Sequence, residues 1–183
     1  MAAKKTSGTA KKATKQRVIA PRAKGLWTAE RVAKDRALIS ELVNEAKLVQ
    51  ERAYAPYSHY KVGAALLTAR GHLFVGNNFE NASFGACICA ERNAIGSMIA
   101  AGESQVVAGA IVTNGLTPAA PCGICRQVLS EFDSNMTLWL IARQKTKVGE
   151  AEADVVQKVT LKELLPYAFS LSLIHISEPT RPY

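Results

Sequence analysis

Long hydrophobic runs, a secretory signal and abundant cysteine are all missing from the sequence. The longest purely apolar run covers residues 106–112, whereas a membrane-spanning helix needs roughly 18 to 20 such residues. We therefore expect no transmembrane helix. No charged segment followed by an apolar one is found at the N-terminus, which predicts a cytoplasmic location rather than secretion. In that reducing compartment the four cysteines favour metal binding over disulfide bonds.

Acidic side chains are absent from residues 1–25, which hold eight of the 23 Lys and Arg residues. The remainder of the chain is balanced, with 15 basic and 15 acidic residues, although the whole chain has a net charge of +8. A stretch so rich in Lys and poor in apolar residues cannot build a core. We predict a disordered tail over residues 1–27 that makes weak, non-specific contact with polyanions. A mitochondrial presequence fits less well, because presequences are rich in Arg and amphipathic.

The following segments alternate between helical and strand-like patterns. Apolar residues at steps of three and four predict one amphipathic helix that begins after Thr28 and stops before Pro56. Residues 62–68 and 72–75 are typical of a β-hairpin around Gly71. Hydrophobic patterns also predict helices over residues 89–102 and 122–132 and strands over residues 106–112 and 138–142. Alternating strands and helices in a chain of this length indicate a single α/β domain.

The C-terminal residues have a different character. Residues 171–181 read Leu-Ser-Leu-Ile-His-Ile-Ser-Glu-Pro-Thr-Arg, which resembles the translation of a sequencing-library adaptor rather than a protein segment. We therefore predict that residues 171–183 are a non-native tail and take no part in the fold. The globular domain is then expected to span residues 28–170.

Two cysteine motifs carry the chemistry that can be read directly from the residues. They are Cys87-Ile-Cys89-Ala-Glu91 and Pro121-Cys122-Gly-Ile-Cys125. The second pair of cysteines, on the first turn of a helix, points the same way, as two ligands of tetrahedral zinc require. A closed structural site would use all four cysteines, whereas an open catalytic site would use three and leave a position for water. Glu91 in the first turn of a helix favours the open site, because a structural zinc needs no neighbouring carboxylate.

These motifs resemble the zinc-dependent cytidine deaminases that act on free nucleosides, in their small homotetrameric form. Cys-Ala-Glu followed by Pro-Cys-x-x-Cys is similar to the zinc signature of that family. Residues 54–66, 76–83 and 164–169 resemble its entrance segment, nucleoside-binding loop and closing turn. The resemblance covers residues 28–170 in collinear order. It implies a three-layer α/β/α sandwich around a mixed, roughly five-stranded sheet, and a homotetramer in which neighbouring subunits complete each pocket.

The resemblance further implies a metal site and its proton donor. One Zn²⁺ per subunit would be held by Cys89, Cys122 and Cys125. Glu91 would move protons between water and the cytosine base. Two arginines would hydrogen-bond the thiolates and offset their negative charge, namely Arg92 and Arg126.

The same resemblance implies a set of substrate contacts. Asn78 and Glu80 would bind ribose hydroxyls, a task that suits one amide and one acceptor. Tyr60, where the family usually has Phe, would provide an aromatic wall for the pyrimidine ring, and Ala90 would also contact the substrate. Phe169, supplied by a neighbouring subunit, would offer another stacking face.

The reaction implied is hydrolytic deamination of cytidine and 2′-deoxycytidine to uridine and 2′-deoxyuridine, with release of ammonia, in pyrimidine salvage. Three other functions are compatible with the motifs. The first two are deamination of a cytosine-containing antibiotic nucleoside and deamination of polynucleotide cytosine, with the basic tail as a phosphate anchor. The third is a zinc-stabilised nucleic-acid-binding module without catalysis. The predicted ribose-binding loop favours a free nucleoside.

Overall fold

The computed structural model describes residues 17–18, 25–144 and 154–170. These residues form five α-helices, which are α1 (Ala29–Lys34), α2 (Arg36–Gln50), α3 (Ala90–Ala100), α4 (Gly123–Ser130) and α5 (Leu161–Leu164). They also form six β-strands, which are β1 (Arg17–Val18), β2 (Val62–Thr68), β3 (His72–Asn77), β4 (Val106–Thr113), β5 (Thr137–Ala142) and β6 (Val155–Thr160). Among the described residues, none of the helices combines the length and the apolar character that a bilayer span demands.

The strands form one sheet in the order β1-β3-β2-β4-β5-β6. Strand β4 runs parallel to β5, while every other neighbouring pair is antiparallel. The chain passes between the two parallel strands through α4, as a crossover connection requires. The prediction of a mixed sheet of roughly five strands is confirmed, with a short sixth strand at one edge.

The edge strand β1 lies in the N-terminal segment for which the sequence predicts no regular structure. Arg17 and Val18 pair with Leu73 and His72 of β3 in antiparallel register. The outer edge of β3 presents backbone N–H and C=O groups that can pair with a segment of almost any sequence. Edge pairing of this kind leaves no hydrophobic pattern to read. The extent of the disordered tail stays a prediction.

Helices cover both faces of the sheet and so give three layers. On one face α1 and α2 pack on the sheet, with Leu42 of α2 in the same buried cluster as Ala65 and Leu67 of β2. On the other face Ala64 and Leu66 of β2 belong to a second buried cluster with residues of α3, α4 and α5. Successive side chains of a strand point to opposite faces, so β2 serves both cores. The predicted α/β/α sandwich is confirmed.

The prediction of one helix between Thr28 and Pro56 is wrong in one respect, because the structure has two helices there. Thr28 caps α1, and its side chain accepts a hydrogen bond from the backbone N–H of Arg31. Asp35 then ends α1 and caps α2, its side chain accepting a hydrogen bond from the N–H of Leu38 at 3.0 Å. The short side chain of Asp accepts hydrogen bonds from backbone amides that would otherwise bond within the helix. The spacing of apolar residues carries no information about this competition. Helix α2 ends at Gln50, earlier than predicted.

The remaining predicted elements are confirmed to within a few residues. The β2–β3 hairpin turns at Gly71, whose φ of 85° suits glycine, and α3 is followed by Gly102 with a φ of 80°. Strand β6 and helix α5 were not predicted. Most of β6 is exposed, so it lacks the buried apolar run that marks the inner strands. Helix α5 begins with a capping box formed by Thr160 and Glu163.

Two glycines allow helices to approach the sheet very closely. A Cβ atom on Gly63 would lie 2.1 Å from the carbonyl oxygen of Ala46 in α2, and one on Gly76 would lie 2.4 Å from the carbonyl oxygen of Ala90 in α3. No side chain fits at these distances. Gly76 pairs with Ala64, the residue next to Gly63. The two helices therefore press on the sheet from opposite faces at nearly the same place, which fixes the start of α3.

Candidate zinc-binding active site

The two cysteine motifs meet at the N-terminal ends of two helices. Cys89 immediately precedes α3, Cys122 immediately precedes α4, and Cys125 lies in the first turn of α4. The three sulfur atoms of this cysteine triad all lie within 4.8 Å of one another, and those of Cys89 and Cys122 are 3.8 Å apart. A tetrahedral zinc ion with bonds of about 2.3 Å holds its sulfur ligands about 3.8 Å apart. The donor type and the spacing of the triad therefore fit zinc.

Cys87, the fourth cysteine, lies outside the triad. Its sulfur accepts a hydrogen bond from the backbone N–H of Asn81 at 3.3 Å and donates to the carbonyl oxygen of Asn81 at 3.6 Å. Cys87 thus belongs to the loop that follows β3. All four cysteines are among the described residues, so a closed site of four sulfur ligands does not form. Three ligands are the composition of an open zinc site.

Glu91 provides a buried acid next to the triad. It lies in the first turn of α3 with 4% of its surface exposed. Its Oε2 atom accepts a hydrogen bond from the sulfur of Cys125 at 3.5 Å. Burial raises the pKa of the Glu91 carboxyl group, and the negative charge of Cys89 adds to the shift. A carboxyl group whose protonated form is favoured in this way is suited to exchanging a proton with a bound substrate.

The surroundings of the triad favour a thiolate at Cys89. The pKa of Cys89 is lowered to about 5, first by a hydrogen bond from the Cys125 thiol and further by Cys122 and Arg92. The same hydrogen bond, together with burial, raises the pKa of Cys125. Arg92 is the cation that contributes to this shift, and its guanidinium donates to the carbonyl oxygen of Cys87, two residues before Cys89, at 2.8 Å. Because zinc binds thiolates, a cation at this position supports ligation.

Arg126 is held by backbone oxygens. Its Nε atom donates to the carbonyl oxygen of Pro121 at 2.7 Å, and Nη1 donates to the carbonyl oxygen of Leu164 at 3.1 Å. These bonds tie the start of α4 to the end of α5. Within the described part of the chain, Arg126 makes no hydrogen bond to a cysteine sulfur, so its predicted contact with the thiolates stays a prediction.

The carboxylate of Glu80, a predicted ribose contact, accepts hydrogen bonds from the entrance loop, which we define as residues 54–61. Its Oε2 atom accepts from the backbone N–H groups of Tyr57 at 2.9 Å and Ser58 at 3.2 Å. Its Oε1 atom accepts from the hydroxyl of Ser58. These hydrogen bonds, led by that of the Ser58 hydroxyl, lower the pKa of Glu80. Glu80 is therefore an ionised acceptor, a form that is suited to binding sugar hydroxyls.

Asn78, the other predicted ribose contact, connects the entrance loop to β2. Its Oδ1 atom accepts from the N–H of Val62 at 2.8 Å, and its Nδ2 atom donates to the carbonyl oxygen of Tyr60 at 2.9 Å. An amide side chain can make up to four hydrogen bonds. Asn78 thus keeps capacity for a ligand while it holds the chain.

The other predicted substrate contacts lie in two separate parts of the structure, the region of the entrance loop and α3 and the region of α4 and α5. Tyr60 lies in the entrance loop with 38% of its surface exposed, and Ala90 is the fully buried first residue of α3, next to Cys89. Phe169 is 54% exposed, and its carbonyl oxygen accepts from Nε2 of Gln127 at 3.0 Å. It lines a separate cavity of 470 Å³ beside α4 and α5, to which the triad does not contribute. The structure does not bring Phe169 to the triad of its own chain.

Two residues around Tyr60 were not predicted from the sequence. Ser58 bonds to Glu80, as described above. Asn114, just after β4, accepts from the N–H of Lys61 at 2.9 Å and donates to the carbonyl oxygen of His59 at 2.9 Å. These partners are 53 and 55 residues away in the sequence. A single Asn after a buried strand carries no pattern that would reveal such contacts.

Zinc-dependent enzymes that activate water are the class that this fold and site define. Comparison with known proteins makes the assignment specific. The family described as the cytidine and deoxycytidylate deaminase zinc-binding region matches residues 37–140. A cytidine deaminase of Halalkalibacterium halodurans is 43% identical over 129 residues, which are 70% of this chain and 92% of that protein.

Solved structures agree with the sequence relatives. The cytidine deaminase of Burkholderia pseudomallei superposes with a TM-score of 0.61 at 43% identity, over 71% of this chain and 98% of that one. That of Mycobacterium tuberculosis gives a TM-score of 0.59 at 32% identity, over 73% of this chain and 98% of that one. The chain belongs to the cytidine and deoxycytidylate deaminase family. The resemblance and the zinc cofactor predicted from the motifs are confirmed.

Proposed function

We propose that the chain deaminates cytidine and 2′-deoxycytidine by hydrolysis, giving the uridine products and ammonia. The observation that carries this proposal is the position of Glu91, whose buried carboxyl group contacts the sulfur of Cys125 at 3.5 Å. Cys89, Cys122 and Cys125 would hold the zinc ion. A structural zinc site needs no buried acid at this place, whereas a reaction that moves protons does.

A zinc ion would be held by Cys89, Cys122 and Cys125, and it would lower the pKa of a bound water molecule to about 7, so that a nucleophile would be available at neutral pH. Glu91 transfers protons both before and after the water oxygen adds to C4. It accepts a proton from water and delivers it to N3 of the cytosine ring, which makes C4 electrophilic. The hydroxide that remains adds to C4. Glu91 then takes the proton of the new C4 hydroxyl and delivers it to the amine, so that the C4 carbonyl forms as the C–N bond breaks and ammonia leaves. Burial of Glu91 supports these roles, because a carboxyl group with a raised pKa both accepts and releases protons readily.

The nucleoside would be held by the residues around the entrance loop. The Glu80 carboxylate would accept hydrogen bonds from the ribose hydroxyls, and the Asn78 amide would accept from them or donate to them. Tyr60 would lie against the pyrimidine ring, and the backbone of Ala90 would contact the base, since the first N–H groups of a helix have no partner within the helix. In this assignment Arg92 offsets the negative charge of the thiolates.

We propose that the chain forms the homotetramer that the resemblance implies, and the exposure of Phe169 supports an assembly of subunits. This ring is exposed on a surface away from the triad, as is Tyr167, which is 97% exposed. Large exposed aromatic rings are typical of surfaces that a partner covers. We propose that Phe169 completes the pocket of a neighbouring subunit and that the assembly is cytoplasmic.

The test is the ultraviolet-monitored conversion of cytidine to uridine by the zinc-loaded protein, compared with Glu91→Gln. We expect turnover by the wild-type chain and a loss of about 10³-fold in kcat for the variant, with zinc content unchanged in both. Glu103→Gln is the matched control, since Glu103 is a buried carboxylate just beyond the other end of α3 that pairs with His72. The control should keep its turnover.

The outcomes separate the candidate functions. Loss of turnover in Glu91→Gln alone supports the proposal. Turnover of polynucleotide cytosine but not cytidine, falling steeply with added salt, would point to a nucleic-acid deaminase. No turnover of any cytosine compound by a zinc-loaded tetramer would leave the zinc-stabilised binding module.

A further inference from the structure

A strained bend in the entrance loop precedes Tyr60. His59 has a φ of 56°, and no other non-glycine residue among those described has a positive φ. Residues other than glycine adopt such a conformation only where surrounding contacts hold them in it. The N–H of His59 donates to the carbonyl oxygen of Ala55 at 3.1 Å, and the N–H of Tyr60 donates to the hydroxyl of Ser58 at 3.0 Å. Both hydrogen bonds join the bend to residues that precede it in the sequence.

Asn114 holds the bend from a different part of the fold. Its Nδ2 atom donates to the carbonyl oxygen of His59, and its Oδ1 atom accepts from the N–H of Lys61, both at 2.9 Å. One side chain therefore binds the peptide group before Tyr60 and the peptide group after it. Because a peptide group is planar, fixing both groups fixes the two backbone dihedral angles of Tyr60 and hence the direction of its side chain.

The residue after Asn114 lies close to the Tyr60 ring itself. A Cβ atom on Gly115 would lie 3.4 Å from Cε2 and 3.5 Å from the hydroxyl oxygen of Tyr60. These are ordinary van der Waals distances, so the ring lies close to Gly115, with room for no more than a methyl group between them. The segment that follows β4 thus holds the backbone of Tyr60 and lies next to its ring.

We propose that Asn114 is a positioning residue that fixes Tyr60 as a wall of the nucleoside pocket. This inference rests on the proposed function, because it assumes that Tyr60 meets the pyrimidine ring. Asn78 binds the carbonyl oxygen of Tyr60 from the loop after β3, so the wall is held from two strands. A wall that is already in place needs no ordering when the nucleoside binds, and its loss weakens binding rather than the chemical step.

The test uses Asn114→Ala and Asn114→Asp in the zinc-loaded full chain. For Asn114→Ala we expect KM for cytidine to rise about tenfold, since two neutral hydrogen bonds are lost, and kcat to change less than about twofold. Asn114→Asp should raise KM less, because a carboxylate still accepts from Lys61. The matched control is Asn93→Ala, which removes an amide bond of 3.1 Å to the carbonyl oxygen of Asn77 and should leave KM unchanged.

Hydrogen exchange of the Lys61 amide gives a readout that needs no substrate. We expect faster exchange in Asn114→Ala, and wild-type exchange in Asn114→Asp and Asn93→Ala. An unchanged KM or an unchanged exchange rate in Asn114→Ala would overturn the proposal, as would an equal rise of KM in the Asn93→Ala control. Failure of the proposed function is distinguishable from these results, because it is seen in the wild-type chain as the absence of cytidine turnover.

Discussion

The metal site and the entrance loop are built in opposite ways. The triad and Glu91 lie on the first turns of α3 and α4, two packed helices whose ends are fixed by the sheet beneath them. The entrance loop has an irregular backbone that hydrogen bonds from distant residues hold in place, chiefly Glu80, Asn78 and Asn114. In the proposed function, the chemistry thus depends on short local motifs, and substrate binding depends on a loop that is held by side chains following β3 and β4. Changes in one region should leave the other intact.

The largest expected effect comes from breaking the metal site. Cys125 is fully buried, and its sulfur lies in the triad. In Cys125→Ser we expect zinc content to fall to near zero and turnover to fall on the order of 10³-fold or more, because the metal supplies the nucleophile. Metal analysis and the cytidine assay measure both quantities. Cys87→Ser is the matched control and should retain its zinc, because the Cys87 sulfur bonds to Asn81 instead.

A smaller effect, on binding alone, is expected when the entrance loop loses its main acceptor. Glu80→Gln replaces one oxygen that accepts hydrogen bonds from Tyr57 and Ser58. We expect KM to rise about 10- to 100-fold, the range for bonds to a charged group, with zinc content unchanged. Glu163→Gln is the control, since Glu163 is an exposed carboxylate of α5 that accepts from Thr160, the residue that caps this helix. Zinc loss in Glu80→Gln would show that the two regions are not independent.

The smallest expected effect is that of low pH on the hydrogen bonds between Glu80 and the entrance loop. Hydrogen bonds lower the pKa of Glu80 below its ordinary value of 4.5, so its hold on the loop is complete above pH 4.5 and is lost as pH falls through the lowered value. We expect the amide signals of Tyr57 and Ser58 to keep their positions to below pH 4.5 in nuclear magnetic resonance titrations. Zinc release follows protonation of the thiolates instead. Loop signals that change together with zinc content would contradict the comparison.

What could be predicted from the sequence follows the same division. The spacing of Cys122 and Cys125 and the turn at Gly71 are local features, and they led to a cysteine cluster that can hold a metal ion and to the β2–β3 hairpin. Glu91 lies in the first turn of α3, as predicted, and its role in proton transfer stays a prediction. Helix starts at Cys89 and Cys122 were predicted for the same reason. Each of these motifs is readable because its own residues lie within one helical turn or one tight turn, although the two cysteine motifs meet across more than 30 residues.

The features that escaped prediction depend on distant or competing contacts. Asp35 divides a periodic stretch because its carboxylate binds the N–H of Leu38, which apolar spacing does not record. Asn114 contacts a loop more than 50 residues away. The pairing of β1 takes place at the edge strand β3, more than 50 residues further along the chain. For Asn114 and β1 the information lies in the assembled fold, whereas for Asp35 it lies in a local contact that competes with the apolar pattern.

Gly63 and Gly76 have a consequence for anyone who redesigns this enzyme. With α2 and α3 pressed onto one point of the sheet from both sides, neither helix can be shifted to widen or narrow the reaction centre. A mutant library aimed at new substrates should therefore leave these two glycines and both helices untouched. Diversity belongs in the entrance loop and in the turn after β4, where altered shape costs the metal nothing.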